Sequence, residues 1–173
     1  DNNISQNTVV ENASTGTTVG ITVLGSDADR GVSISSYALT DDAGGLFSIN
    51  SSTGVVTVNG AIDYESKQSH TITVKATSSD SSATTKDFTI AVTDVDDNAL
   101  SVADSNSATN TIAENATAGD GVGVTALGTD ADYGTSIAYD FTSNPSNLFA
   151  IDASTGVITV SYTHLRAHET AVN

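Results

Sequence analysis

Between residues 19 and 92 apolar and polar positions alternate. Val19, Ile21 and Val23 form one set, Ile72, Val74 and Ala76 a second, and Phe88, Ile90 and Val92 a third, with residues suited to solvent between them. A period of two marks strands with one buried face. The pattern is broken at Gly31, at Asp41-Asp42-Ala43-Gly44-Gly45, at Ser52-Thr53-Gly54 and from Ser78 to Ser82. These breaks predict about seven strands in roughly the first 95 residues, the count of an immunoglobulin-like sandwich. Gly54 and Gly156 are expected in tight hairpin turns that need a positive φ.

The pattern then returns. Val10-Glu11-Asn12-Ala13 reappears as Ala113-Glu114-Asn115-Ala116, and Gly25-Ser26-Asp27-Ala28-Asp29 as Gly128-Thr129-Asp130-Ala131-Asp132, both 103 positions on. Leu46-Phe47-Ser48-Ile49 and Ser52-Thr53-Gly54-Val55 reappear 102 positions on, as Leu148-Phe149-Ala150-Ile151 and Ser154-Thr155-Gly156-Val157. A period of that length is a whole domain, not a solenoid turn of roughly 20–50 residues. The expected fold is therefore all-β, with tandem Greek-key sandwiches of which the second is truncated.

The first domain is expected over residues 1–97, beginning inside a preceding linker, because Asp1-Asn2 resembles Asp97-Asn98. Further repeats would precede it. The second is expected over 98–160 as the N-terminal part of a repeat. It lacks equivalents of the strands around Ile72 and Ile90, so Val124, Ile137, Phe149 and Ile158 have no opposing sheet and poor folding is expected there. Residues 161–173 read as a non-native tail. Val160 to Thr170 holds two of the three His and one of the two Arg, shows no alternation, and resembles the conceptual translation of a sequencing-library adapter.

Composition narrows the function. Five Lys and Arg against 21 Asp and Glu give a net charge of −16, which disfavours nucleic acid and anionic membranes and favours cations as partners. Scattered acids such as Asp41, Asp42 and Asp87 read simply as solubilising. With no Cys, the chain has neither a disulfide framework nor thiol chemistry. No signal peptide or membrane-spanning run appears, so the chain is either cytosolic or an internal piece of something larger, and its opening residues favour a piece. Sequons at Asn3, Asn12, Asn50 and Asn115 are expected by chance in so Ser/Thr-rich a chain.

Catalysis finds little support. His70 is the only His outside the tail, reads as a surface residue in an alternating strand, and no Gly-rich phosphate loop precedes a helix. Asp63 and Glu65 could imitate a glycosidase dyad, but a metal role accounts for them better. The chain reads as no enzyme. The chemistry gathers instead in Thr93-Asp94-Val95-Asp96-Asp97-Asn98, at the boundary between the repeats. Oxygen donors without His or Cys suit a hard cation such as Ca²⁺, which takes about six to eight oxygens, so further acids must come from both flanking repeats.

Glu11-Asn12, Asp27-Ala28-Asp29, Asp63-Tyr64-Glu65 and Asp94-Val95-Asp96-Asp97-Asn98 occur in that order, with Phe47 and Thr53-Gly54 between them. Together they resemble the calcium-binding signature of cadherin repeats, over residues 1–160. The resemblance implies a joint holding about three Ca²⁺. Its ligands would be Glu11, Asp63 and Glu65 from the first repeat, the Val95 carbonyl, Asp96, Asp97 and the Asn98 carbonyl from the linker, and Asp130 and Asp132 from the second repeat. Asp1, Asp27, Asp29 and Asp80 would serve a preceding joint. Asp96 stands where the family has Asn, and the family's Ala-x-Asp is Ala76-Thr77-Ser78, leaving Asp80 to fill that role through a longer loop.

The Ser/Thr/Gly-rich style resembles the bacterial cadherin repeats of large surface and secreted proteins. The implied function is a calcium-binding structural and adhesive repeat module, extracellular or at the cell surface and anchored through other regions, whose joints Ca²⁺ stiffens. Implied partners are adjacent repeats and a cell-surface protein or polysaccharide ligand, with no nucleic acid and no direct membrane insertion. Homophilic adhesion stays open. So does a calcium-dependent carbohydrate-binding module appended to a polysaccharide-acting enzyme, although only Tyr37, Tyr64, Tyr133 and Tyr139 could form its platform and Trp is absent.

Overall fold

The computed structural model describes residues 6–161. Asp1 and the part of the expected tail from residue 162 onward lie outside the described residues. The chain divides into two compact units, Asp1–Asp96 and Asp97–Asn173.

Unit 1 contains seven strands: β1 (Thr8–Val10), β2 (Thr18–Thr22), β3 (Ile34–Asp41), β4 (Phe47–Ile49), β5 (Val55–Val58), β6 (Ser69–Ser78) and β7 (Ala83–Thr93). One sheet has the order β1-β7-β6-β3 and the other β2-β5-β4. β6 and β7 form a long antiparallel hairpin, and β1 joins its outer edge in parallel, Val9 opposite Val92 and Val10 opposite Thr93. The alternating positions point inward as the period requires: Val19, Ile21, Ile72, Val74, Phe88, Ile90 and Val92 are all buried. Phe47, Val56, Val58 and Ile62 complete that core. Each fully buried side chain of this size contributes about 1.5–3 kcal/mol of transfer free energy.

His70 departs from its expected surface position. It shares parity with Ile72 and Val74 on β6, is 6 % exposed, and packs edge-on to Phe47 with ring centroids 5.8 Å apart. Removal from water, reinforced by the nearby Lys67 charge, lowers its pKa below the ordinary histidine value.

The β4–β5 turn meets its expectation. Gly54 has φ +70°, and a Cβ there would lie 2.5 Å from the Val23 carbonyl oxygen, so both the backbone conformation and the close approach require glycine. Asn50 Oδ1 closes the turn by accepting from the Ser52 and Thr53 amides at 3.0 and 2.9 Å. In unit 2 the same turn recurs at Gly156, φ +69°, closed by Asp152.

Unit 2 contains β8 (Ser101–Asp104), β9 (Gly121–Thr129), β10 (Phe149–Ile151) and β11 (Val157–Val160) in one sheet of order β10-β11-β9-β8. Its core is small: Ala116, Val122 and Val160 are buried, with Val124, Phe149 and Ile158 packed against them.

Candidate metal centre

The centre of unit 1 follows from strand parity. Val9 faces inward on β1, and so does Glu11 two residues on. Val92 faces inward on β7, and Asp94 continues the same face. The parallel register that pairs Val9 with Val92 therefore carries Glu11 and Asp94 to the same end of the core, and the Glu11 amide donates to the Thr93 carbonyl at 3.0 Å.

Glu11 is 3 % exposed. Its Oε2 accepts from the Tyr64 amide at 2.8 Å and its Oε1 from the Val95 amide at 2.7 Å, so one carboxylate ties together the segments on either side of the β6–β7 hairpin. Glu65 arrives from the same segment as Tyr64. Carboxylate oxygens of Glu11, Glu65 and Asp94 all lie within 4.8 Å of one another. Among the described residues, Asp94 Oδ1 is the buried side-chain oxygen or nitrogen that has no hydrogen-bond partner. The Glu65 carboxyl is raised above its ordinary value. Its own backbone amide lowers it, but partial desolvation and the charges of Glu11 and Asp94 together outweigh that.

Asp63, expected among the ligands, makes its hydrogen bonds elsewhere. It is exposed, and its carboxylate accepts from the Ser66 amide at 3.0 Å and the Ser66 hydroxyl at 2.8 Å, bonds that lower its pKa. Asp96 is exposed at the end of the unit. Asp94 itself was not among the expected ligands; its inward parity after Phe88, Ile90 and Val92 was the signal that could have found it.

Unit 2 gathers its own acids. Asp132 is buried at 7 % exposure and accepts from the amides of Asp97 and Asn98 and from the Asn98 side chain, the last at 2.9 Å. The Asn98 side-chain bond is the largest of the effects that lower its pKa, ahead of the opposing desolvation and the two amides. Asn98 Nδ2 also donates to Asp97 Oδ1, and the Asp132 amide donates to Asp130 Oδ1. The expected linker pair and the expected Asp-x-Asp pair thus meet within one unit.

At the other end of unit 1, Asp27 and Asp80 are drawn together by hydroxyls. Ser78 stands in the place of the expected acid. Its hydroxyl bonds the Asp80 carboxylate and lies 2.6 Å from Ser82 Oγ, which in turn donates to Asp27 Oδ2 at 3.2 Å. Asp29 contributes its amide to Asp27 Oδ1.

The donor set of unit 1 fits a calcium ion: carboxylate oxygens, no nitrogen or sulfur, and one buried oxygen whose lone pairs are not otherwise used. A cadherin-domain family model matches residues 5–93. The chain belongs to the cadherin family. Mouse protocadherin Fat 4 is 40 % identical over 159 residues, 88 % of this chain, and human protocadherin Fat 4 is 44 % identical over 119 residues, 66 % of it. The chain spans only 3 % and 2 % of the lengths of those relatives.

Among solved structures, mouse cadherin-23 EC22-24 superposes with a TM-score of 0.72 at 26 % identity, covering 91 % of this chain and 52 % of that one. Human CDH23 EC21-23 gives 0.70 at 29 %, covering 92 % and 51 %. Cadherin domains bind calcium at the linkers between repeats, and cadherins are extracellular adhesion proteins rather than enzymes. These relatives are animal proteins and lend no support to the bacterial origin expected from composition, nor to the carbohydrate-binding alternative.

Proposed function

We propose that this cadherin chain is a calcium-dependent adhesion module whose inter-repeat linker is stiffened by Ca²⁺. In unit 1 the ion would be held by Glu11, Glu65 and Asp94, with Asp63, Asp96 and the Val95 carbonyl within reach along the chain. In unit 2 the ligands would be Asp97, Asp130, Asp132 and the Asn98 carbonyl. Asp94 and Asp97 are three residues apart in sequence, so a fully extended backbone separates them by no more than roughly 11 Å. Ions held on both clusters would fix the intervening peptide, whereas the bare acids repel one another and leave it free to bend. A preceding linker would use Asp27, Asp29, Asp80 and Asp1, weakened by Ser78.

The observation that carries this reading is Asp94 Oδ1, buried without a partner beside Glu11 and Glu65. An oxygen so placed costs about 1–3 kcal/mol unless something ligates it. For partners, the reading favours adjacent repeats and other cadherin chains. A protocadherin gammaB7 EC3-6 structure, 25 % identical, is described as a cis-dimer.

Titration of the full chain with calcium in a calorimeter tests the proposal. Saturable heat, lost in Glu11→Gln and reversed by chelator, is expected. No heat from a folded wild-type chain would overturn it.

A further inference from the structure

Composition alone generates Asn-x-Ser/Thr triplets in this chain, and the fold separates them. Asn3 lies outside the described residues. In Asn12-Ala13-Ser14 the middle residue packs against the core of unit 1, and Asn12 itself is held at φ +56°. In Asn115-Ala116-Thr117 the middle residue is buried in the core of unit 2, and the Thr117 hydroxyl donates to Asp120 Oδ2 at 3.0 Å. Asn50-Ser51-Ser52 differs from both, because all three of its residues are exposed at the β4–β5 turn.

The turn also sorts the two ends of the Asn50 side chain. Its Oδ1 accepts from the Ser52 and Thr53 amides at 3.0 and 2.9 Å. Two N–H donors can be met only by the oxygen, so the orientation of the amide is fixed and its NH₂ faces away from the turn. Among the described residues nothing bonds that Nδ2, and nothing bonds the Ser52 hydroxyl.

Unit 2 shows that the turn does not need an amide. Asp152 closes it there by accepting from the Ser154 and Thr155 amides at 3.0 and 2.8 Å, and these bonds, those of Thr155 first, hold its carboxyl below the ordinary value. A charged acceptor makes the stronger bonds. Asn at position 50 therefore weakens the closure and adds one thing in return, a primary amide free on the surface. Its surroundings lack other strongly hydrated groups: from Ala43 to Ile62 no side chain is acidic or basic, in a chain whose net charge is −16.

We infer that Asn50 is a site of N-linked glycosylation, with the glycan standing on the β4–β5 turn and supplying the hydration that this uncharged stretch lacks. The donor class is an oligosaccharide carried on a lipid diphosphate. Asn50 Nδ2 displaces the diphosphate from the anomeric carbon: the C–N bond forms as the C–O bond breaks, and one amide proton leaves with the diphosphate. The other proton stays on nitrogen and Oδ1 is untouched, so the turn keeps both of its bonds. The inference rests on the extracellular placement of cadherins and not on calcium, since Asn50 is no part of the Glu11, Glu65 and Asp94 cluster.

The test expresses the full chain behind a cleavable secretion leader in cultured animal cells. Mass spectrometry of the Asn50 peptide, from secreted and cell-associated protein, is compared before and after peptide N-glycosidase. Wild type should carry a glycan at Asn50, and its enzymatic removal should leave aspartate there. Two variants delete the acceptor and spare the turn. Asn50→Asp keeps an oxygen for the two amides, as unit 2 does, and Ser52→Ala keeps the amide but removes the hydroxyl of the triplet. Both should lose the glycan while retaining the wild-type circular dichroism and calcium heat, and Ser52→Thr should retain the glycan.

Occupancy at Asn50 should exceed that at Asn12 and at Asn115. A wild-type chain unmodified at Asn50 would overturn the inference. So would occupancy at Asn12 or Asn115 that equals or exceeds it, because the exposure of the turn would then not select the site.

Discussion

Asp94→Asn should stabilise unit 1 without calcium and lose that advantage with it. Without the ion, the substitution removes a charge from a group of three carboxylates within 4.8 Å of one another and gives the partnerless position an NH₂ that can donate to Glu11 or Glu65. The unmet oxygen costs about 1–3 kcal/mol and a hydrogen bond to a charged acceptor contributes about 1.5–3 kcal/mol, so even a partly realised exchange stabilises by about 1 kcal/mol. For a domain of this size that raises the melting temperature by about 4–8 °C.

With calcium that gain is cancelled. At about 2 mM Ca²⁺ and a Kd of about 10⁻⁴ M, one ion stabilises the folded state by about 1.8 kcal/mol. If a charged ligand is worth about tenfold in affinity, the mutant retains only about 0.6 kcal/mol of that. Scanning calorimetry of wild type and mutant in chelator and in calcium reads both effects. The calcium-induced rise should shrink to about a third while the chelator melting point climbs. A mutant that melts lower in chelator and keeps the full calcium rise would show that Asp94 is satisfied without metal, and the reasoning would fail.

Three further outcomes follow from the fold. Phe47→Ala should cost about 3–5 kcal/mol in denaturant unfolding, whereas Phe149→Ala, half-buried at the equivalent position, should cost clearly less. Gly54→Ala should cost at least about 1–2 kcal/mol for the positive φ alone, with a further loss from the clash at the Val23 carbonyl, and far-ultraviolet circular dichroism in a urea series would measure it. Since the His70 pKa is lowered in the fold, the unfolded chain binds more protons below about pH 6.5, so unit 1 should lose stability as pH falls from 7.5 to 5.5, by at most about 1.4 kcal/mol per unit. His70→Phe should flatten that slope, and an unchanged slope would assign it to other groups.

Much of unit 1 was legible because its information is local. Alternation at Val19, Ile72 and Phe88 fixes which side chains face the core, and the turn chemistry of Asn50 through Gly54 fixes one hairpin. His70 was misread although the pattern contained the answer: it occupies the same parity as Ile72 and Val74, and an expectation about polar residues overrode the period. Asp63 shows a different limit of sequence reading. Its spacing to Glu65 fits a ligand pair, but the nearer Ser66 takes its carboxylate, and a sequence motif does not show that local competition.

What alternation cannot supply is which strands pair across long separations, and the centre of unit 1 depends on that pairing. Glu11 and Asp94 lie 83 positions apart, and only the parallel ladder of β1 on β7 makes them neighbours. The same ladder positions the Val95 amide to hold Glu11 at 2.7 Å, so the hairpin that closes the core also orients that carboxylate. Unit 2 provides the contrast. Glu114 repeats Glu11 in sequence yet is exposed, because no described strand pairs with the segment that precedes it. The signature residues are therefore only part of what the cluster needs, and the β6–β7 layer, through the edge that β7 offers to β1, is what gathers Glu11, Glu65 and Asp94 at one end of the core.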